Sequence, residues 1–188
     1  MTLNERAITS QLRRYFLSKG LSPIGKLNVF DHLDDADERT FIVDFAFGPI
    51  ASKGNRTHEV VCSDIDRFRE HESVLDSALN DLLVVCEFPA NVDIAKGWSK
   101  QANPDPMVGL AIEVENAKSK YFLGSLLAAS CTGRWGLLVV PDTPETSRWI
   151  MTVRRMIHKG SRSPIPSNIV IFKWNRLEEY INSEGNAD

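Results

Sequence analysis

Residues 108–141 read VGLAIEVENAKSKYFLGSLLAASCTGRWGLLVVP, and this stretch decides the fold. An apolar strand bearing two carboxylates leads into a helix over about 117–131, and a second apolar strand follows at 135–140. Side chains alternate along a strand, so Glu113 and Glu115 leave the same face. Two acids on one face of an otherwise buried strand are costly unless a cation compensates them, and a divalent metal ion meets that need. The plainer alternative is an edge strand whose glutamates face solvent while Ile112 and Val114 pack inward.

Working outward, the spacing of Ile8, Leu12, Tyr15 and Phe16 predicts a helix over 4–19, with Gly20 as its stop. Strands are expected at 24–30 and 40–47, separated by the acidic turn HLDDADER. In the second, Phe41, Val43, Phe45 and Phe47 alternate with Ile42, Asp44 and Ala46. GPIASKGNRT reads as a loop, His58–Cys62 as a short strand closing a hairpin, and Ser63 as the cap of a helix over 64–80. The apolar run 82–88 fits strand or helix equally well. Residues 89–106, rich in Pro, Asn, Lys and Gly, read as a long surface loop, a kind of segment that is often functional. Downstream, a helix is expected over 142–159, a strand over 167–174 and a closing helix over 176–182. The late alternation of strand and helix favours a mixed sheet flanked by helices, in one domain spanning 1–188.

With 188 residues, 43% apolar and 25% charged, the chain has the composition of an ordinary globular protein with a sizeable core. No apolar run approaches the roughly 20 residues that cross a bilayer, so no membrane association is expected. Cys62, Cys86 and Cys131 are odd in number and widely spaced, and MTLNERAITSQLRRYF lacks the apolar core of a secretory signal. A reducing, cytoplasmic setting is the expectation. The net charge of −3 gives no global attraction to nucleic acid, so a DNA-binding role requires a local basic surface.

The carboxylate strand, following helix and second strand resemble the signature half of the PD-(D/E)XK nuclease superfamily, the restriction-endonuclease-like fold. There an acid-x-lysine pair lies on a central strand, and a further Asp precedes it. Here Glu115 stands at the lysine position. The resemblance implies an α/β fold with a restriction-endonuclease-like mixed sheet, and a Mg²⁺ or Mn²⁺ site with Glu113 as ligand. Glu115 then acts as ligand or as base for the attacking water. Two residues compete for the upstream Asp: Asp105, in Asn103-Pro104-Asp105-Pro106, and Asp44, within FIVDFAF. The metal set on the first choice is Asp105, Glu113 and Glu115. Lys118 or Lys120 offers a replacement cation. The implied activity is endonucleolytic cleavage of DNA by a protein that acts as a homodimer. The alternative is a catalytically inactive module of the same fold that binds nucleic acid or a protein partner.

Arg148, Arg154, Arg155, His158, Lys159 and Arg162 form the densest basic cluster, which reads either as a phosphate-contacting surface or as a solvated helix end. No H-E-x-x-H zinc pattern, phosphate loop or nucleophile elbow occurs, and no cysteine lies in an activating motif. Trp135, Trp149 and Trp174 fall in apolar runs and belong to the core, whereas Trp98 sits in the long loop.

Overall fold

A computed structural model describes residues 4–28, 42–52, 57–89, 103, 106–116, 119–158 and 168–184. Five strands form one sheet in sequence order: β1 (Pro23–Asn28), β2 (Ile42–Ile50), β3 (Val108–Val114), β4 (Gly133–Val140) and β5 (Ile169–Lys173). β1–β2 and β2–β3 are antiparallel, and β3–β4 and β4–β5 are parallel. The helices are α1 (Glu5–Ser18), α2 (His58–Glu70), α3 (Glu72–Leu83), α4 (Ser119–Thr132), α5 (Pro144–His158) and α6 (Trp174–Glu184).

The connections dictate the layers. A strand–helix–parallel-strand crossover is right-handed, and β3, β4 and β5 advance in one direction, so α4 and α5 land on the same face. There Phe122 and Leu126 of α4 and Ile150 and Val153 of α5 pack on Leu138, Val140, Ile169 and Ile171. The other face carries the larger core, where Ile8, Leu12 and Phe16 of α1 meet Phe47, Leu110 and Ile112, joined by α3 and α6. Alternation along β3 therefore sends Leu110, Ile112 and Val114 to one layer and Ala111 and Glu113 toward the other.

α4 lies very close to the sheet. A Cβ on Gly136 would come within 2.7 Å of the Ala129 carbonyl carbon, so the helix backbone rests directly on β4. In β2, Gly48 takes φ +85° where the register with β3 shifts between Phe47 and Ile50. Asn168 ties the far end, its amide donating to the Ser130 and Gly133 carbonyls at 2.8 and 3.0 Å. No helix among the described residues is long and apolar enough to cross a membrane.

Two expectations from the sequence require correction. His58–Cys62 is not a hairpin strand: it opens α2, capped by Thr57, whose hydroxyl accepts from the Val60 N–H at 3.4 Å. Ser63 consequently lies inside that helix, and the expected single helix over 64–80 is divided at His71 into α2 and α3. The ambiguous 82–88 run ends α3 and then crosses to β5, where Phe88 bridges Ile171. The remaining boundaries move by a few residues, and β2 runs on through Gly48–Ile50, into what reads as loop.

Candidate functional site

β3 is the third of five strands, with a neighbour hydrogen-bonded along each edge. That position rules out the edge-strand reading, and with it a solvent-facing Glu113. Glu113 is only 8% exposed, and its register partner on β4 is the fully buried Leu138. Burying a carboxylate at such a position opposes folding, because its charged form loses hydration.

Asp44 reaches the end of β3 from β2. The antiparallel register runs Phe47↔Leu110, Ala46↔Ala111, Phe45↔Ile112 and stops there, and β2 is irregular beside Asp44, where its pairing with β1 shifts between Gly25↔Ala46 and Leu27↔Val43. Here the Asp44 side chain takes over from the backbone ladder: its Oδ2 accepts from the Val114 N–H at 2.9 Å. The carboxylate is thus anchored at the peptide that follows Glu113.

Glu115 lies one residue past the end of β3, where its N–H donates to the Val139 carbonyl at 2.9 Å. Its Oε2 accepts from the Ser125 hydroxyl of α4 at 2.9 Å. Ser125 belongs to the same helix that rests on β4 at Gly136. Glu115 is partly exposed.

Asp105 and Lys118 lie outside the described residues, as does the side chain of Lys120. Among the described residues no group of three His, Cys, Asp or Glu side chains is disposed to hold a metal ion. Asp44 and Glu113 lie on adjacent strands, Asp44 bordering the α1 side of the sheet and Glu113 directed toward the other layer, while Glu115 is drawn toward α4. Carboxylate oxygens are the hard donors that Mg²⁺ takes, and that ion is commonly held by one or two of them while it keeps several waters. In donor chemistry each of these carboxylates is of the kind such an ion takes.

Asp44 and Phe45 also border a cleft of about 350 Å³ whose other wall is α1, through Glu5, Arg6, Thr9, Ser10 and Arg13. Sequence reading passed over these α1 residues. Their signal was present as the polar side of an amphipathic helix, spaced i, i+3, i+4 and i+7 from Arg6 to Arg13. What the pattern lacked was the knowledge that this side adjoins Asp44.

Other candidates have structural work. Arg154, within the expected basic cluster, donates to the Glu87 carbonyl at 3.1 Å and pins α5. Arg148 and Arg155 are exposed, while the His158 side chain, Lys159 and Arg162 lie outside the described residues. Arg134 pairs with Glu72 at 2.5 Å. Burial, reinforced by the charge of Glu87, pushes the Cys86 thiol up to about 12, far from thiolate chemistry at neutral pH. Trp135 and Trp174 are buried and Trp149 stacks on Phe122 with ring centroids 6.0 Å apart, whereas Trp98 is outside the described residues. Comparison of the chain with protein-family models, with curated proteins and with solved structures finds no match in any of the three.

Proposed function

We propose that this protein is a divalent-metal-dependent endonuclease of the PD-(D/E)XK type, hydrolysing DNA phosphodiester bonds. The observation that carries the reading is the anchoring of Asp44 at the Val114 N–H, beside a Glu113 buried on the central strand. A sheet of antiparallel β1–β2–β3 continued by parallel β4, with a helix between β3 and β4, supports the same reading. It also favours Asp44 over Asp105 as the upstream acid, because Asp44 lies on the strand hydrogen-bonded to β3.

On this reading Asp44 and Glu113 would hold Mg²⁺ or Mn²⁺ through their carboxylate oxygens, and the group would supply charge neutralisation at the scissile phosphate and a more acidic water. Rigid strands keep both carboxylates in place without reorganisation during reaction. Glu115 has one oxygen occupied by Ser125, and the other would take the proton of the attacking water. Water oxygen bonds to phosphorus, the bond from phosphorus to the leaving sugar oxygen breaks, and that leaving oxygen takes a proton from solvent. Cutting both strands of a duplex calls for two such sites, which a homodimer supplies.

Supercoiled plasmid incubated with Mg²⁺ or Mn²⁺ tests this. The wild type should nick it, Glu113→Ala should lose at least about 100-fold, the scale for removing one preorganised electrostatic group, and the exposed-helix control Glu145→Ala should match wild type. Failure of the wild type to nick under either metal overturns the enzyme reading. A second reading keeps the fold without catalysis and draws on Glu115, which stands where the family has lysine and is engaged by Ser125. Salt-dependent DNA binding without cleavage would select it.

A further inference from the structure

The overall charge of −3 leaves DNA attraction to a local surface, and α1 supplies one. Its sequence, ERAITSQLRRYFLS, carries three arginines against one glutamate. Ile8, Leu12, Tyr15 and Phe16 bury one side of the helix. Arg6, Thr9, Ser10 and Arg13 follow one another along a different side and, with Glu5 at the helix start, line the cleft that Asp44 borders. Arg6 and Arg13 are exposed, and among the described residues neither has a carboxylate in ion-pair contact. Two exposed guanidiniums about two helical turns apart, with the Ser10 hydroxyl between them and the Thr9 hydroxyl donating to the Glu5 carbonyl, match a polyanion better than a single small ion. Residues 6 and 13 are about 10.5 Å apart along the axis at 1.5 Å per residue, so they reach different phosphates of one strand. The N-terminal end of α1, at Arg6, adds its positive dipole end to the same wall.

From this we infer that the Arg6–Thr9–Ser10–Arg13 stripe is the track on which the DNA backbone lies, holding phosphates along the cleft that Asp44 borders. The inference rests on the nuclease reading and adds to it the surface that binds substrate. These four residues bind and position; none takes part in the bond exchange. Guanidinium and hydroxyl contacts to phosphate carry no base information, so the stripe contributes affinity and register, not sequence choice.

The test is equilibrium binding of a fluorescein-labelled 20-base-pair duplex, without metal, over a range of salt concentrations. Each neutralised phosphate contributes about 0.9 to the slope of log affinity against log salt on B-DNA. The double variant Arg6→Ala/Arg13→Ala should bind more weakly on every sequence tried, with a slope shallower by about 2. Arg6→Lys/Arg13→Lys should keep the wild-type slope, and Arg14→Ala, exposed on the same helix but not lining the cleft, should change neither quantity. All substituted side chains are exposed, and circular dichroism confirms that each variant is folded. An unchanged slope in the alanine double variant overturns the stripe and leaves the nuclease reading intact. Loss of cleavage in Glu113→Ala with binding retained supports the nuclease reading independently. A wild type with no salt-dependent affinity for duplex overturns both.

Discussion

β3 and β4 are adjacent parallel strands at the middle of the same sheet, and they differ at one telling pair. Glu113 of β3 is in register with Leu138 of β4. β4 behaves as packing alone requires: Leu137, Leu138, Val139 and Val140 are fully buried among apolar side chains of both layers. β3 has the same burial but carries an acid on the side where β4 carries leucine, and β2 anchors Asp44 at the Val114 N–H. On the proposed reading, an acid buried on this strand is a residue kept for chemistry at some cost to stability.

Exchanging the characters of the two positions breaks the comparison most sharply. Leu138→Glu puts a carboxylate among Phe122, Ile150 and Ile171 and should destabilise by about 3–5 kcal/mol, the scale of an uncompensated buried charge. Urea unfolding measures it; a loss below 1 kcal/mol would mean that the β4 face is not the dry layer described. Next in size is Gly136→Ala, which forces α4 away from β4 and should cost about 1–3 kcal/mol as overpacking. The same variant should weaken cleavage, because α4 carries the Ser125 hydroxyl that holds Glu115.

The opposite sign is expected at 113. Glu113→Gln keeps the shape and removes a buried charge, so on the proposed reading it should raise stability by about 1 kcal/mol, or about 2–4 °C in Tm for a chain of this size. Nicking activity should disappear in the same protein. A lower Tm would mean that Glu113 is a structural acid like Asp64, which is buried against Ser52 and pairs with Arg67.

The smallest effect belongs to Asp76, which borders β4 from the other layer. Burial raises its pKa above 3.8, the charge of Glu72 adds to the rise, and a hydrogen bond from Trp135 and the charge of Arg134 oppose it. A carboxyl whose folded pKa is raised binds its proton more tightly in the native state, so its contribution to stability falls as pH climbs from about 3.8 through the raised value. Asp76→Asn should remove that downward component and leave a flatter stability profile in this acid window, by less than about 1 kcal/mol. Denaturant melts between pH 3.5 and 6 would detect it, and an unchanged profile would contradict the assignment.

Much of the fold was readable because periodicity reports burial directly. β3, α4 and β4 lie within about two residues of where the 108–141 stretch put them, and α1 follows its Ile8–Leu12–Phe16 stripe. α2 was misread for a physical reason: Val60 and Val61 are β-branched within a five-residue window, and such a window fits a strand as easily as one helical turn. The residues that settle the helix, Thr57 as cap and Asp64 and Phe68 as its buried side, fall outside it. For the site, the sequence offered Glu113 as an acid in an apolar strand but held no information on whether that strand was central or at an edge. Asp44 was a candidate through the family resemblance, and its anchoring at the Val114 N–H is a contact between segments 70 residues apart, which the sequence does not show. The α1 arginines were invisible as a site for the same reason: a polar helix face says nothing of what lies beside it.

The most direct test of the central claim is a crystal of the protein soaked in Mn²⁺ and measured at the manganese absorption edge. The account predicts one anomalous peak within coordination distance of both the Asp44 and Glu113 carboxylates, absent from crystals of Glu113→Gln. Saturating Mn²⁺ that leaves no peak there, or a peak that persists unchanged in the variant, would contradict it.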